Sequence, residues 1–321
     1  MKITFIGAGS TVFARNVIGD CILTPELGAF DVCLFDIDPK RLDESYQILQ
    51  NINKTANGKA NITQTLDRET AFRGADFVIN AIQVGLYEPC TVTDFEVPKK
   101  HGLRQTIADT LGIGGIFRAL RTIPVMKAYA DDMERWCPNA LFLNYTNPMA
   151  MLAGYMQRYT NVRTVGLCHS VQVCVPHLLK ELGMEEYLEN NRWEIAGINH
   201  QAWLLKLEDL QGNDLYPEVK RRAFDPACNT EMQDLVRLEM MRQFGYYVTE
   251  SSEHNAEYTP WFIKEKYPEL IERYKIPLDE YPRRCVAQIN GWNEMRDSLL
   301  RDSHIEHKKT HEFASYIIRA V

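Results

Sequence analysis

Short apolar runs alternate with helically spaced stretches through the first half of this chain, and that alternation leaves few folds open. Lys2–Ile6 reads as a buried strand ended by Gly7, and residues 31–36 (DVCLFD), 62–66, 75–81 (ADFVINA), 140–144 (ALFLN) and 163–167 read as further strands. Several of these runs are apolar throughout, as in strands covered on both faces of a parallel sheet. Between them, residues 12–23, 39–53, 116–136 and 148–159 carry helical spacing, the last opened by Asn147 as cap and Pro148 in the first turn. Parallel neighbours need crossover helices, so the pattern predicts a doubly wound α/β sheet. After about residue 182 it changes. Residues 193–198 and 204–210 look like antiparallel strands around a loop, and 230–245 and 287–300 look helical. The expected organisation is a nucleotide-binding domain over residues 1–190 and a mixed α+β substrate domain over 191–321.

Gly7-Ala8-Gly9-Ser10 stands where the first strand meets the first helix. There the first glycine permits a tight turn, the second lets backbone approach a pyrophosphate, and the pyrophosphate sits on the helix N-terminus. Val12 replaces the third glycine of GxGxxG, so the motif alone is weak, and a glycine-rich turn beside a surface aspartate is the bland alternative. Asp36 strengthens it: a carboxylate at the end of the second strand accepts both ribose hydroxyls of NAD and would repel a 2′-phosphate. Asn80 closes the fourth strand, where such folds line the nicotinamide side, or it serves its loop alone. The domain is read as Rossmann-type, with Gly7, Gly9, Ser10, Asp36 and Asn80 as candidate NAD residues.

Charge narrows the partners. A net charge of -7 over 321 residues disfavours nucleic acid and anionic membrane, which reward basic patches. The eight cysteines (Cys21, Cys33, Cys90, Cys137, Cys168, Cys174, Cys228 and Cys285) form no CxxC pair, and a hydrophobic content of 45% needs no disulfide framework, so free thiols in a reducing cytosol are expected. The first residues run straight into a strand without a signal-peptide apolar region, and no stretch is long and apolar enough to span a membrane. A soluble cytoplasmic protein is expected.

Asn144-Tyr145-Thr146-Asn147-Pro148, Gly166-Leu167-Cys168-His169-Ser170 and Gly197-Ile198-Asn199-His200 are the polar stretches that draw attention. Cys168 ends a strand, and ligands of open α/β sheets bind at strand carboxyl ends. A thiolate and an imidazole can hold a divalent metal and leave positions for substrate oxygens. Spacing alone leaves the choice open between such a pair and a buried thiol with a satisfied histidine.

The set GAGS, IADTLGIGG, NYTNPMAM, GLCHS, GINHQAW and TESSEHNAEYTPWF resembles the family 4 glycoside hydrolases along the whole chain. Cys168-His169-Ser170 together with residues 249–254 is similar to the α-galactosidase (melibiase) branch; phosphosugar branches carry Asp or Asn after that cysteine. The resemblance implies a glycosidase outside the two-carboxylate scheme. NAD oxidises the sugar at C3, a base removes the acidified C2 proton, the glycosidic oxygen leaves, water adds, and C3 is reduced again. It implies Mn²⁺ held by Cys168 and His200, acting on the C2 and C3 oxygens as a Lewis acid, so that metal and cofactor are expected to share one cleft.

By the same resemblance His169 takes the proton donor's position, a role its pKa range suits, with substrate hydrogen bonding as the alternative. The family's base is a tyrosine, and Tyr258 in EYTPWF matches it better than Tyr246 or Tyr247. Asp109 matches the position that raises that tyrosine's basicity, Asn147 a substrate-binding asparagine, and Arg284, in competition with Arg283, a substrate-binding arginine. Glu250, Glu253 and His254 are further cleft candidates. Family members continue past the equivalent of Val321, so a C-terminally shortened substrate domain is expected, as is a homodimer or homotetramer. The expected substrate is a small α-galactoside, with an α-glucoside or an α-galacturonide or glucuronide as family alternatives. A plain NAD-dependent sugar or hydroxy-acid dehydrogenase, or a non-catalytic NAD-responsive regulator, shares the GxG turn and Asp36.

Overall fold

A computed structural model describes residues 1–225, 233–310 and 312–321. Cys228 and residues 230–232 of the expected helix at 230–245 lie outside the described residues. In chain order the elements are β1 (Lys2–Ile6), α1 (Thr11–Ile22), β2 (Phe30–Phe35), α2 (Pro39–Thr55), β3 (Ala60–Thr65), α3 (Arg68–Phe72), β4 (Phe77–Asn80), α4 (Val92–Lys99), α5 (Gly112–Trp136), β5 (Leu141–Asn144), α6 (Met149–Tyr159) and β6 (Arg163–Gly166). They continue with α7 (Ser170–Glu181), β7 (Asn191–Ile198), β8 (Gln201–Asp209), α8 (Tyr216–Phe224), α9 (Leu235–Phe244), β9 (Tyr247–Val248), α10 (Ser252–Tyr258), α11 (Glu269–Arg273), α12 (Glu280–Arg301) and α13 (Ala314–Ala320).

The chain divides into two compact units that interleave along the sequence. One comprises residues 1–92, 116–167 and 283–321, the other 93–115 and 168–282. The first holds a six-stranded sheet in the order β3-β2-β1-β4-β5-β6, every pair parallel, which is the Rossmann order. Side chains on a strand alternate between faces, and the cores follow that rule. Ile3, Phe5, Val32, Leu34, Phe77, Ile79, Leu141 and Leu143 pack with α1, α2 and α13. Ile6, Cys33, Phe35, Val78 and Phe142 pack on the opposite face with α3, α5 and α6. Both faces are covered, which is why these runs are apolar throughout.

The second unit carries an antiparallel sheet, β7-β8-β9. One core joins β8 to α7, α8 and α9 through Leu178, Leu204, Val219 and Met241. A second gathers Val236, Met240, Val248, Ala256 and Phe262. Gly245 closes α9 in the left-handed region at φ 84°.

Several boundaries differ from expectation; β8, for example, begins at Gln201 rather than at residue 204. The helix expected at 287–300 begins seven residues earlier, since α12 starts at Glu280. Pro148 occupies the cap position of α6 with extended backbone rather than the first turn. Asn147 therefore sits one residue further out, although its Oδ1 still accepts the Met149 N–H at 3.2 Å. The seven described cysteines are free thiols. Among the described residues, no helix is long and apolar enough to cross a membrane.

Candidate active site

In the parallel-sheet unit β1 delivers the chain to Gly7 at φ 82°, a conformation that is free for glycine and costs other residues roughly 1–2 kcal/mol. The Gly7 and Ala8 N–H groups donate to the Phe35 carbonyl at 3.0 and 3.1 Å, which fixes the turn at the carboxyl end of β2. The Gly9 N–H donates to Asp36 Oδ2 at 2.7 Å, and Asp36 Oδ1 accepts the Asp38 N–H at 3.0 Å. A Cβ on Gly9 would stand 2.8 Å from that Oδ2, so nothing larger fits between turn and carboxylate. Ser10 is half-buried at the cap position of α1. Val12 is 42% exposed, so its branched side chain does not obstruct the helix–strand packing for which a third glycine is usually kept.

Asn80 ends β4 and is fully buried. Its Nδ2 donates to Asn144 Oδ1 at 2.8 Å and to Thr146 Oγ1 at 3.2 Å, tying the ends of β4 and β5 together, while its Oδ1 has no hydrogen-bond partner. The close-approach turn, the Asp36 carboxylate and this orphaned oxygen at the sheet's carboxyl edge fit a dinucleotide. Asn147, half-buried after β5, and Arg284, exposed on α12, belong to this same unit.

The second unit brings Cys168, His200, Asp109 and Tyr258 together. Cys168 precedes α7, whose cap position is held by the half-buried His169. The Ser170 N–H approaches Cys168 Sγ at 3.5 Å, and a helix N-terminus favours a thiolate. His200 lies between β7 and β8, whose Ile198 and Gln201 pair, so it occupies a two-residue hairpin turn. Its φ is 80°, a region non-glycine residues rarely enter and one often kept at functional sites. The hairpin places His200 Nε2 3.2 Å from Cys168 Sγ. On the other side of the ring, Nδ1 lies 2.6 Å from Thr110 Oγ1 and 3.1 Å from the Tyr258 hydroxyl.

Tyr247 is instead buried with its hydroxyl on Asp234, and Tyr246 is 44% exposed against the Tyr216 ring. Of the three candidate tyrosines, Tyr258 is the one in contact with His200. Asp109 is buried and its Oδ1 accepts from the Thr110 hydroxyl at 2.8 Å. Of the further candidates, His254 Nε2 is 3.8 Å from Asp109 Oδ1, and Glu250 Oε2 is 3.3 Å from His200 Nε2. Two groups offer donor atoms within 4.8 Å of one another, Cys168–His200–Glu250 and Asp109–His200–His254. A thiolate, imidazoles and carboxylates suit a divalent transition ion.

The electrostatics follow from this crowding. Burial pushes the Cys168 thiol up, but hydrogen bonds and charge from His200, with the Ser170 bonds, outweigh it and hold the thiol below its ordinary value. Burial alone would lower His200, yet Cys168, Glu250 and Asp109 raise it to about 9. Burial prevails at His254 and lowers it despite Asp109 and Glu250. Burial, then Asp109 and Glu257, push the Tyr258 phenol well above 10.

Two residues here carried no signal in the sequence. Thr110, 1% exposed, bridges Asp109 and His200. Glu257 accepts the consecutive N–H groups of Thr106, Ile107 and Ala108 at 2.7, 3.0 and 2.8 Å, clamping the loop that presents Asp109. Both act across long sequence separations, and only their adjacency to Asp109 and Tyr258 within the quoted motifs could have suggested them.

A Rossmann-order sheet and a compact thiol–imidazole–carboxylate cluster define a nucleotide-binding enzyme class with a candidate metal centre. The family 4 glycosyl hydrolase profile matches residues 2–184 and its C-terminal domain profile matches residues 195–321; the chain belongs to that family. It is 59% identical over its full length to an α-galactosidase of Bacillus subtilis (strain 168), covering 73% of that protein. It is 34% identical over 85% of its length to an α-galactosidase of Rhizobium meliloti (strain 1021), covering 55% of that protein. The fold is shared with the 6-phospho-β-glucosidase of Thermotoga maritima, solved with manganese, NAD⁺ and glucose-6-phosphate. That likeness has a TM-score of 0.73 at 20% identity and covers 99% of this chain and 72% of the other.

Proposed function

We propose that this chain carries the reacting groups of an NAD- and Mn²⁺-dependent α-galactosidase. The reading rests above all on one imidazole: His200 meets the Cys168 thiol at 3.2 Å on Nε2 and the Tyr258 hydroxyl at 3.1 Å on Nδ1. A cation-holding pair and a candidate proton acceptor thus converge on a single ring. Two α-galactosidase relatives, one at 59% identity, favour galactosides over other α-linked sugars.

When bound, NAD would supply reversible hydride transfer to the sugar, and the divalent ion would supply Lewis acidity to its hydroxyl oxygens. The protein's own groups do the rest. Asp36 holds the cofactor's ribose, and the Gly7–Ser10 turn admits its pyrophosphate. Cys168 and His200 hold the cation. Tyr258 takes the C2 proton at its phenol oxygen; Asp109 raises the basicity of that oxygen, and positive charge nearby is what makes the phenolate accessible. His169 delivers a proton to the leaving glycosidic oxygen, and Asn147 and Arg284 bind the sugar. A thiolate ligand needs a reducing compartment, which supports a cytoplasmic location.

p-Nitrophenyl α-galactoside, incubated with NAD, Mn²⁺ and a thiol, tests this. Nitrophenol release is expected only when both cofactors are present, without NADH accumulation, and the α-glucoside and α-galacturonide are expected to be cleaved more slowly. Accumulating NADH would point instead to a dehydrogenase, and release indifferent to NAD would remove redox chemistry.

A further inference from the structure

We infer that Glu250 is a third protein ligand of the divalent cation, an assignment that rests on the metal-dependent reading above. Its two carboxylate oxygens have separate duties. Oε1 accepts the Ser251 N–H at 3.1 Å. That bond turns Oε2 toward His200 Nε2 at 3.3 Å and Cys168 Sγ at 4.0 Å. With Sγ and Nε2 3.2 Å apart, the three atoms enclose one small space.

The rival set, Asp109–His200–His254, shares His200, and a proton count decides between them. The Thr110 hydroxyl has one proton, and it donates that proton to Asp109 Oδ1 at 2.8 Å. Toward His200 Nδ1, 2.6 Å away, it can therefore only accept. Nδ1 carries a hydrogen, and Nε2 is the nitrogen left to coordinate. Nε2 faces Cys168 and Glu250.

Ligand chemistry points the same way. A thiolate with an imidazole is a soft pair that suits Zn²⁺ well, whereas a carboxylate oxygen is the hard donor Mn²⁺ favours. Thiolate and carboxylate together also balance two positive charges. Three protein donors leave positions open for substrate oxygens and water.

The test titrates Mn²⁺ alone into the reduced chain and follows the free-ion electron paramagnetic resonance signal for wild type, Glu250→Gln and Glu250→Asp. Co²⁺ absorption is recorded in parallel, because its thiolate band reports Cys168. Glu250→Gln is expected to weaken Mn²⁺ binding by about tenfold to a hundredfold while keeping the thiolate band. Glu250→Asp, which retains the charge on a shorter arm, is expected to lose about threefold to tenfold and decides the matter if the glutamine variant does not fold. Binding within twofold of wild type by the folded variant overturns the assignment and leaves the Cys168–His200 site standing. A wild-type chain that binds no Mn²⁺ overturns both.

Discussion

Replacing Thr110 by valine keeps the side chain's shape but deletes one hydroxyl. That hydroxyl, on a residue 1% exposed, donates to Asp109 Oδ1 at 2.8 Å and accepts from His200 Nδ1 at 2.6 Å. Hydrogen bonds to charged groups contribute roughly 1.5–3 kcal/mol each, and buried groups left unpaired cost more than the bond itself. The loss is partial at His200, because Nδ1 keeps the Tyr258 hydroxyl at 3.1 Å. The expected destabilisation is therefore about 2–4 kcal/mol. The ring also loses the group that holds its proton on Nδ1, so Nε2 is no longer committed to the cation. Groups that orient a ligating histidine typically affect metal affinity by about 10–100-fold. Urea denaturation reads the first effect and Mn²⁺ titration the second, while ¹⁵N shifts of the His200 ring report where the proton sits. Thr110→Ser, which retains the hydroxyl, is expected to restore both affinity and tautomer. A valine variant that binds Mn²⁺ within twofold of wild type, with the His200 proton still on Nδ1, would refute the reasoning.

Further outcomes follow from other contacts. Gly9→Ala places a methyl 2.8 Å from Asp36 Oδ2 and 3.0 Å from Arg41 Cβ; displacing the carboxylate is expected to weaken NAD binding by about tenfold or more, and unchanged affinity in a calorimetric titration would separate Asp36 from the ribose. Glu257→Ala strands three backbone N–H groups, at roughly 1–3 kcal/mol each. Wild-type Glu257 is pushed up to about 7 by burial, so its favourable protonation in the fold is fully present below pH 4.5 and lost as pH rises through 7. The variant's deficit in urea melts should therefore widen from pH 8 to pH 5, and a constant deficit would contradict the assignment. Asp20 accepts from His307 Nε2 at 2.8 Å and from Thr310 N–H and hydroxyl at 2.9 and 2.6 Å. Although burial opposes them, these bonds hold its carboxyl below the ordinary value. Its stabilisation is present above the usual carboxylate range and lost as pH falls through the lowered value. Asp20→Asn should cost about 1.5–3 kcal/mol at pH 7 and progressively less in acid, and a pH-independent cost would be the contrary result.

The parallel sheet was legible because covering a strand on both faces forces an uninterrupted apolar run, and ADFVINA and ALFLN have no other easy reading. The helix after β5 was harder to bound, since proline serves both as a first-turn residue and as an extended cap, and Pro148 takes the second role. Asp109 and Tyr258 are visible only as family motifs, whereas strand-end placement already singles out Cys168 and leaves its pairing with His200 open. Their meeting depends on a hairpin turn that holds His200 at φ 80°, and spacing does not encode that. Thr110 and Glu257 work by hydrogen bonds across 90 and about 150 positions, beyond any local periodicity. In the sequence Glu250 is only a polar cleft candidate. Its distinct duty appears once Ser251 fixes one of its oxygens.

Proton abstraction from carbon is what sets this account apart from ordinary glycoside hydrolysis. The direct measurement uses p-nitrophenyl α-galactoside deuterated at C2, hydrolysed in ordinary water with NAD and Mn²⁺ present. Galactose that has lost its C2 deuterium is expected, or a slowed turnover that reveals cleavage of that bond. Product that keeps all of its C2 deuterium, formed at the rate of the unlabelled substrate, would contradict proton abstraction.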